Sequence, residues 1–359
     1  MKKTNAKRAK YICAVMASIW VIIFAIGAPT TIYAQQTLTI TSFGGAMQEA
    51  QRKAYMEPFA KKFGVKIIED EWNGDLAKLR AMVQAKNVTW DVVDMSDGQV
   101  EIACEEGLLE PLDPAIVGGK EKFIEGAIAE CGVGCLVASI VIGYDAKQFS
   151  KEEPKTLEDF WNVKKFPGPR AMKKWAKHNM EFALLADGVA PGEIYKLLST
   201  EGGIARAFRK LDQIKPYVKV WFTSWAQPGQ LLADGEVAMS PGTNGRLAAV
   251  QKTHPNVKYM WDRQGIGKDW WSIVKGCKNK DLAIKFIQFA SLPETQAEFP
   301  KYILYGPTLK EAVKKMPPEL VAQMPTASQN MKSAWDIDSR FWSDNMDDFN
   351  IRFSAWLAK

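Results

Sequence analysis

Short apolar runs alternate with amphipathic stretches from residue 38 onward, and this alternation constrains the fold more than any other feature of the chain. Residues 38–42, 65–68 and 91–95 are apolar runs of strand length. Residues 47–63 and 76–83, which lie between them, repeat their apolar side chains at helical spacing. Because strands that alternate with helices pair in parallel, the pattern predicts a parallel sheet that helices cover on both faces.

A second unit of the same kind follows the long apolar run 136–144. The composition changes there, with Pro154 and then the segment 167–169, and this change predicts a crossing between domains. Further strands are predicted at 218–222, 237–240 and 270–274, and an amphipathic helix is predicted at 336–357. We therefore expect an α/β protein with more than one domain, which a chain of this length supports.

Residues 1–34 have the order of a secretory signal peptide. Five basic residues within the first ten are followed by the uncharged run 11–27 and by small or uncharged residues up to Ala34. The apolar run is shorter than the roughly 20 residues that a membrane span needs. We expect a periplasmic protein secreted through a cleaved signal peptide; an uncleaved N-terminal anchor is the alternative.

The rest of the chain is close to neutral and contains four cysteines. The whole chain has 47 basic and 41 acidic residues, and the five basic residues of the signal leave 42 against 41. This balance gives no reason to expect nucleic acid or an anionic membrane as a partner. Cys104, Cys131, Cys135 and Cys277 form an even set in an oxidising compartment, which indicates two disulfides. Free buried thiols are the alternative.

Signals for catalysis and for metal binding are weak. His178 and His254 are the only histidines, and neither lies near Cys131 and Cys135 in the sequence. The chain contains no nucleophile-elbow, zinc-protease, phosphate-loop or complete dinucleotide-binding motif. We therefore expect no catalytic residue, no metal and no cofactor. A binding protein is favoured over a periplasmic enzyme, which is kept as an alternative.

Ligands of open α/β sheets bind beyond the carboxyl ends of the strands, so the turns after the strands are the candidate site. The candidates after strands are Ser42, Phe43, Gly44, Gly45, Ser96, Asp97, Asn244 and Arg246, and the return of the chain to the first unit adds Asp269 and Trp270. Glycines in such a turn allow close approach of the backbone, and a helix N-terminus offers free N–H groups. Each position also has a purely structural explanation, as a tight turn, a helix cap or a core tryptophan.

Several of these segments, taken in order, resemble a known family. They are 42–45, 90–93, 106–109, 232–239, 244–246, 270–271, 283–289 and 305–308. The series resembles family 1 extracellular solute-binding proteins of ABC importers, and most closely the spermidine/putrescine-binding branch. The resemblance covers nearly all of the chain after the signal peptide.

The resemblance implies a type II periplasmic binding protein fold, in which two hinge-linked α/β lobes enclose a ligand cleft. The N-lobe would comprise residues 37–143 and 268–306, and the C-lobe residues 144–267 and 307–359. It adds Thr243 and Tyr305 to the candidate ligand-binding residues. It also implies permease and ATPase subunits as partners, with the binding protein itself a monomer.

The resemblance also suggests how the cysteines pair. Cys104 and Cys131 both lie near the edge of the N-lobe, and Cys135 and Cys277 lie on or beside strands that the resemblance makes neighbours. We therefore predict the disulfides Cys104–Cys131 and Cys135–Cys277.

The sequence departs from the polyamine-binding pattern at the cleft. The family's tyrosine is missing from the turn 43–46, Thr243 replaces a tryptophan, and Arg246 stands where some members have a carboxylate. Where polyamine-binding members have acidic residues in the C-lobe, this sequence has the lysine-rich segment 173–177. Because arginine binds carboxylates and repels ammonium groups, we predict a carboxylate-bearing or zwitterionic ligand, with Asp269 binding any amine.

Two other ligand classes remain open. A polyamine is the alternative, held by Asp97 and Asp269 with Arg246 turned outward. A ferric ion is a third possibility, which only Tyr302 and Tyr305 support.

Overall fold

A computed structural model describes residues 35–359, and the signal peptide predicted for residues 1–34 lies outside them. The strands form one sheet in the order β2-β1-β3-β9-β5-β8-β6-β7, with β4 beside β5 and β10 beside β9. The strands are β1 (Thr37–Ser42), β2 (Lys66–Glu71), β3 (Val92–Ser96), β4 (Ile128–Ala129), β5 (Gly132–Asp145), β6 (Arg170–Lys173), β7 (Val218–Phe222), β8 (Met239–Thr243), β9 (Val257–Ile273) and β10 (Trp335–Asp336).

Two groups of parallel strands flank two long antiparallel ones. Strands β2, β1 and β3 are parallel, as are β8, β6 and β7, whereas β5 and β9 pair antiparallel with each other between the groups. The parallel pairing of β1, β2 and β3 confirms the sequence prediction. The sequence predicted only the end of β9, because its first half, 257–267, alternates polar with apolar residues and forms no continuous apolar run.

Helices fill the connections between the strands. They are α1 (Gly45–Gln51), α2 (Glu57–Phe63), α3 (Leu76–Gln84), α4 (Gln99–Glu105), α5 (Leu157–Trp161), α6 (Asn179–Ala186), α7 (Ile194–Leu198), α8 (Glu201–Ile214), α9 (Gln227–Ala233), α10 (Asn244–Gln251), α11 (Lys280–Ala290), α12 (Pro293–Glu298), α13 (Lys310–Val313), α14 (Pro318–Val321) and α15 (Ser339–Leu357). A π-helical segment, Arg52–Met56, joins α1 to α2. Within residues 35–359, no helix is both long and apolar enough to span a bilayer.

The C-terminal helix α15 begins at Ser339, whose hydroxyl donates to Asp97, and is fixed by its aromatic face. The Asp338 side chain caps it by accepting from the N–H of Phe341 at 2.8 Å. Its buried residues recur at helical spacing, and Trp342 is completely buried, with Nε1 donating to Glu181 at 2.6 Å. Replacing Trp342 by alanine would cost about 3–5 kcal/mol, because a large cavity would remain. The helix predicted at 336–357 is confirmed.

The buried side chains form separate clusters toward the two ends of the long strands β5 and β9. One large cluster draws on residues 38–138 and 271–324, and the other on residues 140–260 and 335–356. Leu309 and Met324 pack in the first cluster. The exact lobe boundaries implied by the resemblance stay a prediction.

One of the two predicted disulfides is present. Cys104 and Cys131 are bonded, which confirms that pairing, and a loop of this length stabilises a protein by about 3–4 kcal/mol in the chain-entropy model. The predicted bond Cys135–Cys277 is wrong, since both thiols are free. Antiparallel register explains why: Cys135 lies opposite the Asp269–Trp270 step of β9, whereas Cys277 lies beyond the end of that strand.

Candidate functional site

One cavity collects residues from the carboxyl ends of all six parallel strands, as expected for an α/β sheet. The space, including its open mouth, measures about 780 Å³. The residues contributed by these ends are Phe43 after β1, Trp72 and Asn73 after β2, Ser96 and Asp97 at β3, Lys173 and Trp175 at β6, Ser224 and Trp225 after β7, and Thr243 and Arg246 at β8. The long strands β5 and β9 add Ala138, Ile140, Gly267 and Asp269.

Arg246 lies in the first turn of α10 and is only 6% exposed. Its Nη2 donates to the backbone carbonyl of Phe43 at 3.0 Å. Gly45, at a φ of +59°, leaves room for the guanidinium, since a Cβ there would lie 2.8 Å from Nη1. Within residues 35–359 no carboxylate lies within 4.0 Å of this guanidinium. Arg246 is therefore a buried cation whose hydrogen-bonding capacity is mostly unused.

Asp97 is a carboxylate that the protein satisfies by itself. Its Oδ1 accepts from the hydroxyl of Ser339 at 2.9 Å, and its Oδ2 accepts from the backbone N–H of Lys268 at 3.0 Å. Burial raises the pKa of Asp97, and the charges of Lys177 and Lys268 act in the opposite direction.

Asp269 faces the same cavity without such support. In the described part of the chain no group donates a hydrogen bond to its carboxylate. Burial raises the pKa of Asp269 well above its ordinary value, and the neighbouring charges of Asp94 and Asp97 raise it further. Lys177 and Arg246 oppose this shift. Asp269 is thus a carboxylate with room for a cationic or hydrogen-bonding partner.

Two buried lysines complete the set of charged groups. Lys177 donates to the backbone carbonyl of Asp97 at 2.6 Å. Lys173 donates to the backbone carbonyl of Thr223 at 3.1 Å and lies between two indole rings. Burial lowers the pKa of both lysines, and the pKa of Lys173 is lowered to about 7.

Aromatic side chains form the walls. Phe43 stacks on Trp72 with 5.6 Å between ring centroids, and the Trp72 indole donates to the backbone carbonyl of Asp94 at 3.2 Å. Across the cavity, Tyr305 donates its hydroxyl to Thr243 at 2.7 Å. Rigid aromatic walls around a few charged groups are typical of a small-molecule site.

Seven of the predicted ligand-binding residues line the cavity. They are Phe43, Ser96, Asp97, Thr243, Arg246, Asp269 and Tyr305. The other five do not line it and have structural contacts instead. Ser42 donates to Asp94, Asn244 bonds the backbones of Ser139 and Leu304, and Trp270 packs in the core. A Cβ on Gly44 would meet Glu71, and Gly45 faces Arg246. Their roles toward a ligand stay predictions.

Several lining residues escaped the sequence prediction. Trp72, Lys173, Trp175, Lys177, His178 and Trp225 all line the cavity. Strand β6 was not predicted because it is short and follows the segment 167–169, which indicated a domain crossing. Strand β7 was predicted at its observed bounds, and applying the carboxyl-end rule to it would have found Trp225. The strand predicted at 65–68 ended before the polar end of β2 and therefore missed Trp72.

Comparisons with known proteins give the family. The family model of bacterial extracellular solute-binding proteins matches residues 54–328. A gamma-aminobutyric acid-binding protein of Pseudomonas aeruginosa is 44% identical over 90% of this chain and 92% of its own length. A spermidine/putrescine-binding periplasmic protein of Salmonella typhimurium is 20% identical over 79% of this chain and 82% of its own length.

Solved structures agree on the fold. The PBP MotA from A. tumefaciens B6, in complex with glucopine, superposes with a TM-score of 0.85 at 33% identity over 90% of this chain and 100% of that chain. The structure of a GABA receptor superposes with a TM-score of 0.79 at 35% identity over 90% of this chain and 98% of that chain. The predicted periplasmic binding protein fold is confirmed. The chain therefore belongs to the bacterial extracellular solute-binding proteins, which capture small solutes for ABC importers.

Proposed function

We propose that the protein binds a small zwitterion, with the ligand's carboxylate at Arg246 and its amine at Asp269, and delivers it to an ABC importer. One observation carries this proposal. A single aromatic-walled cavity holds a buried guanidinium without a carboxylate partner and a carboxylate without a hydrogen-bond donor, in the part of the chain that the structure describes.

Opposite charges that remain unpaired at one site are the complement of a zwitterion. A buried charge without a partner is costly, and a ligand that supplies both missing partners recovers this free energy on binding. Arginine forms a planar fork of N–H donors that fits a carboxylate with two hydrogen bonds. The raised pKa of Asp269 falls again when an ammonium group lies beside it, so the amine favours the charged carboxylate.

The relatives support an amino acid whose charged groups are well separated. A relative at 44% identity is a gamma-aminobutyric acid-binding protein, and a structure at 35% identity is a GABA receptor. GABA carries one carboxylate and one terminal ammonium, which is the charge pattern that Arg246 and Asp269 complement. We therefore propose GABA or a close ω-amino acid as the ligand.

A polyamine is the second candidate, which Asp97, Asp269 and the distant spermidine/putrescine-binding relatives favour. The other charged groups of the cavity weigh against it. Arg246, Lys173 and Lys177 all line the cavity, and each would repel an ammonium group. Asp97 is also already occupied by Ser339 and by the backbone of Lys268.

The remaining aspects of the proposal concern the context of binding. The protein acts without catalysis, as a monomer, after secretion into the periplasm through a cleaved signal peptide. It docks on the permease of an importer that an ATPase subunit drives. The two-lobe fold supports this proposal, because a ligand that contacts both lobes favours the closed form.

Calorimetric titration with matched ligands tests the proposal. GABA is compared with butyrate, butylamine and putrescine, which lack the amine, lack the carboxylate, or carry two amines. We expect GABA to bind most tightly, since only GABA satisfies both charges. Thermal unfolding gives a second measurement, because a ligand at about 100 times its Kd adds roughly 2.7 kcal/mol. Tighter binding of putrescine than of GABA would instead support the polyamine candidate.

A further inference from the structure

Lys173 is a buried cation whose charge the protein does not balance. It ends β6, is only 3% exposed and lines the cavity. Its Nζ lies 4.7 Å from the ring centroid of Trp225 and 5.2 Å from that of Trp175, and it donates to the carbonyl of Thr223. These contacts orient the ammonium group but do not neutralise it. Lysine is rarely buried without a counter-charge, because desolvation of the ammonium is costly.

Lys177 shows what a balanced lysine looks like in the same cavity. The carboxylates of Asp97, Glu181, Glu101 and Asp269 all act on it and favour its charged form. Lys173 has the opposite surroundings: the charges that act on it are those of Lys177 and Arg246, and both are cations. Within residues 35–359 no carboxylate lies within 4.0 Å of the Nζ of either lysine, but at longer range carboxylates act on Lys177 and only cations act on Lys173. A ligand carboxylate beside Lys173 would supply the counter-charge that the described chain does not provide.

Lys173 and Arg246 belong to the same end of the cavity. A Cβ on Gly45 would lie 2.8 Å from Nη1 of Arg246 and 3.7 Å from Cβ of Ala226. The turn after β7 therefore lies near the guanidinium, on the other side of Gly45. The preceding residue of that turn, Trp225, presents its ring to the Lys173 ammonium.

We propose that Lys173 is a second acid-binding residue, which shares the ligand's carboxylate with Arg246 and selects a charged acid over a neutral amide. This inference rests on the proposed function and names a specificity-determining residue for it. The indole rings hold the ammonium in place, so a ligand carboxylate meets a pre-oriented pair of cations. A neutral amide gains little from Lys173, because it brings no charge to balance the ammonium.

The test compares Lys173→Met with Lys174→Met, a matched change at the exposed neighbouring lysine. Each variant is titrated with GABA and with its neutral amide, 4-aminobutanamide. We expect Lys173→Met to weaken GABA binding about 10- to 100-fold, the loss typical of a hydrogen bond to a charged group. Amide binding should change by less than about threefold, as should both affinities of Lys174→Met. Equal losses for acid and amide, or no loss for either, would overturn the proposal.

Two additions keep the outcome decisive. Lys173→Gln keeps a donor for the Thr223 carbonyl without the charge, and it replaces the methionine variant if that variant unfolds at a lower temperature.

Butyrate, which has the carboxylate alone, is tested by thermal shift. The zwitterion proposal fails if GABA binds no better than butyrate. In that case the Lys173 inference still stands if butyrate stabilises the wild type but not Lys173→Met. If GABA binds the wild type and Lys173→Met equally, the inference alone fails. If neither ligand binds the wild type, both are rejected.

Discussion

Asp97 and Asp269 line one cavity, yet the protein satisfies the first and leaves the second without a donor in the described chain. The lysines also differ, since the charges of four carboxylates act on Lys177 and only cations act on Lys173. The cavity thus contains a balanced set, Asp97 and Lys177, and an unbalanced set, Asp269, Arg246 and Lys173.

In our proposal, this difference separates charges with a structural role from charges that bind the ligand. The balanced set connects distant parts of the chain, since Asp97 follows β3, Ser339 begins α15, and Lys177 follows β6. A satisfied buried network of this kind favours one arrangement of the surrounding elements. The unbalanced set has backbone contacts but no opposite charge within hydrogen-bonding distance, and part of this desolvation cost is recovered when a ligand supplies the missing charges.

The largest expected effect is on ligand affinity in the unbalanced set. Arg246→Ala and Asp269→Asn should each weaken GABA binding by about 100-fold or more, because each leaves one ligand charge buried without its partner. Isothermal titration measures the loss. The exposed residues Arg209 and Asp281 provide matched controls as Arg209→Ala and Asp281→Asn, which should bind like the wild type.

The balanced set should respond in stability instead. Asp97→Asn places an amide where a carboxylate accepts from Ser339 and Lys268, and we expect the free energy of unfolding to fall by about 1–3 kcal/mol. Urea unfolding of the ligand-free protein measures this. A variant with unchanged stability but no ligand binding would contradict the distinction and would favour the polyamine candidate.

The pH dependence of affinity sharpens the comparison at Lys173. The pKa of Lys173 is about 7 in the free protein, and a ligand carboxylate beside the ammonium group raises it. Above pH 7 the complex therefore binds more protons than the free protein does. Affinity should therefore fall as the pH rises above 7, by at most about tenfold per pH unit.

Other charged groups of the cavity also affect this pH dependence. Lys177 and Arg246 act on Lys173, and Asp97 and Asp269 line the same cavity. A ligand amine lowers the raised pKa of Asp269, which makes affinity rise with pH. Titrations between about pH 6 and pH 9 with the wild type and Lys173→Met isolate the lysine, because only the wild type should show the alkaline loss. Parallel curves would contradict this assignment.

The smallest expected effect is a gain in stability. Asp269→Asn removes a buried carboxylate that no donor in the described chain supports, so the ligand-free variant should be up to about 1 kcal/mol more stable than the wild type. Thermal unfolding without ligand measures the shift. A loss of stability would mean that Asp269 already has a structural partner, and it would then belong to the balanced set.

Local patterns identified part of the site. Phe43, Ser96 and Arg246 follow strands whose apolar runs are visible in the sequence, so the carboxyl-end rule places them at the cavity. Lys173 could not be found this way, because β6 is four residues long and its burial depends on packing between β7 and β8. A lysine-rich segment also has the composition of a solvated surface, so the sequence alone predicts that all its lysines are exposed.

The sequence by itself determined the alternation of strands and helices, the segments after β1 and β8 that carry Phe43 and Arg246, and the cysteines available for pairing, because these depend on neighbouring residues and on composition. Only the tertiary structure decided which charges are balanced and which cysteines meet. Asp97 contacts Ser339 across 242 positions, and antiparallel register separates Cys135 from Cys277. Such contacts between distant residues follow from strand order and register, which local periodicity does not specify.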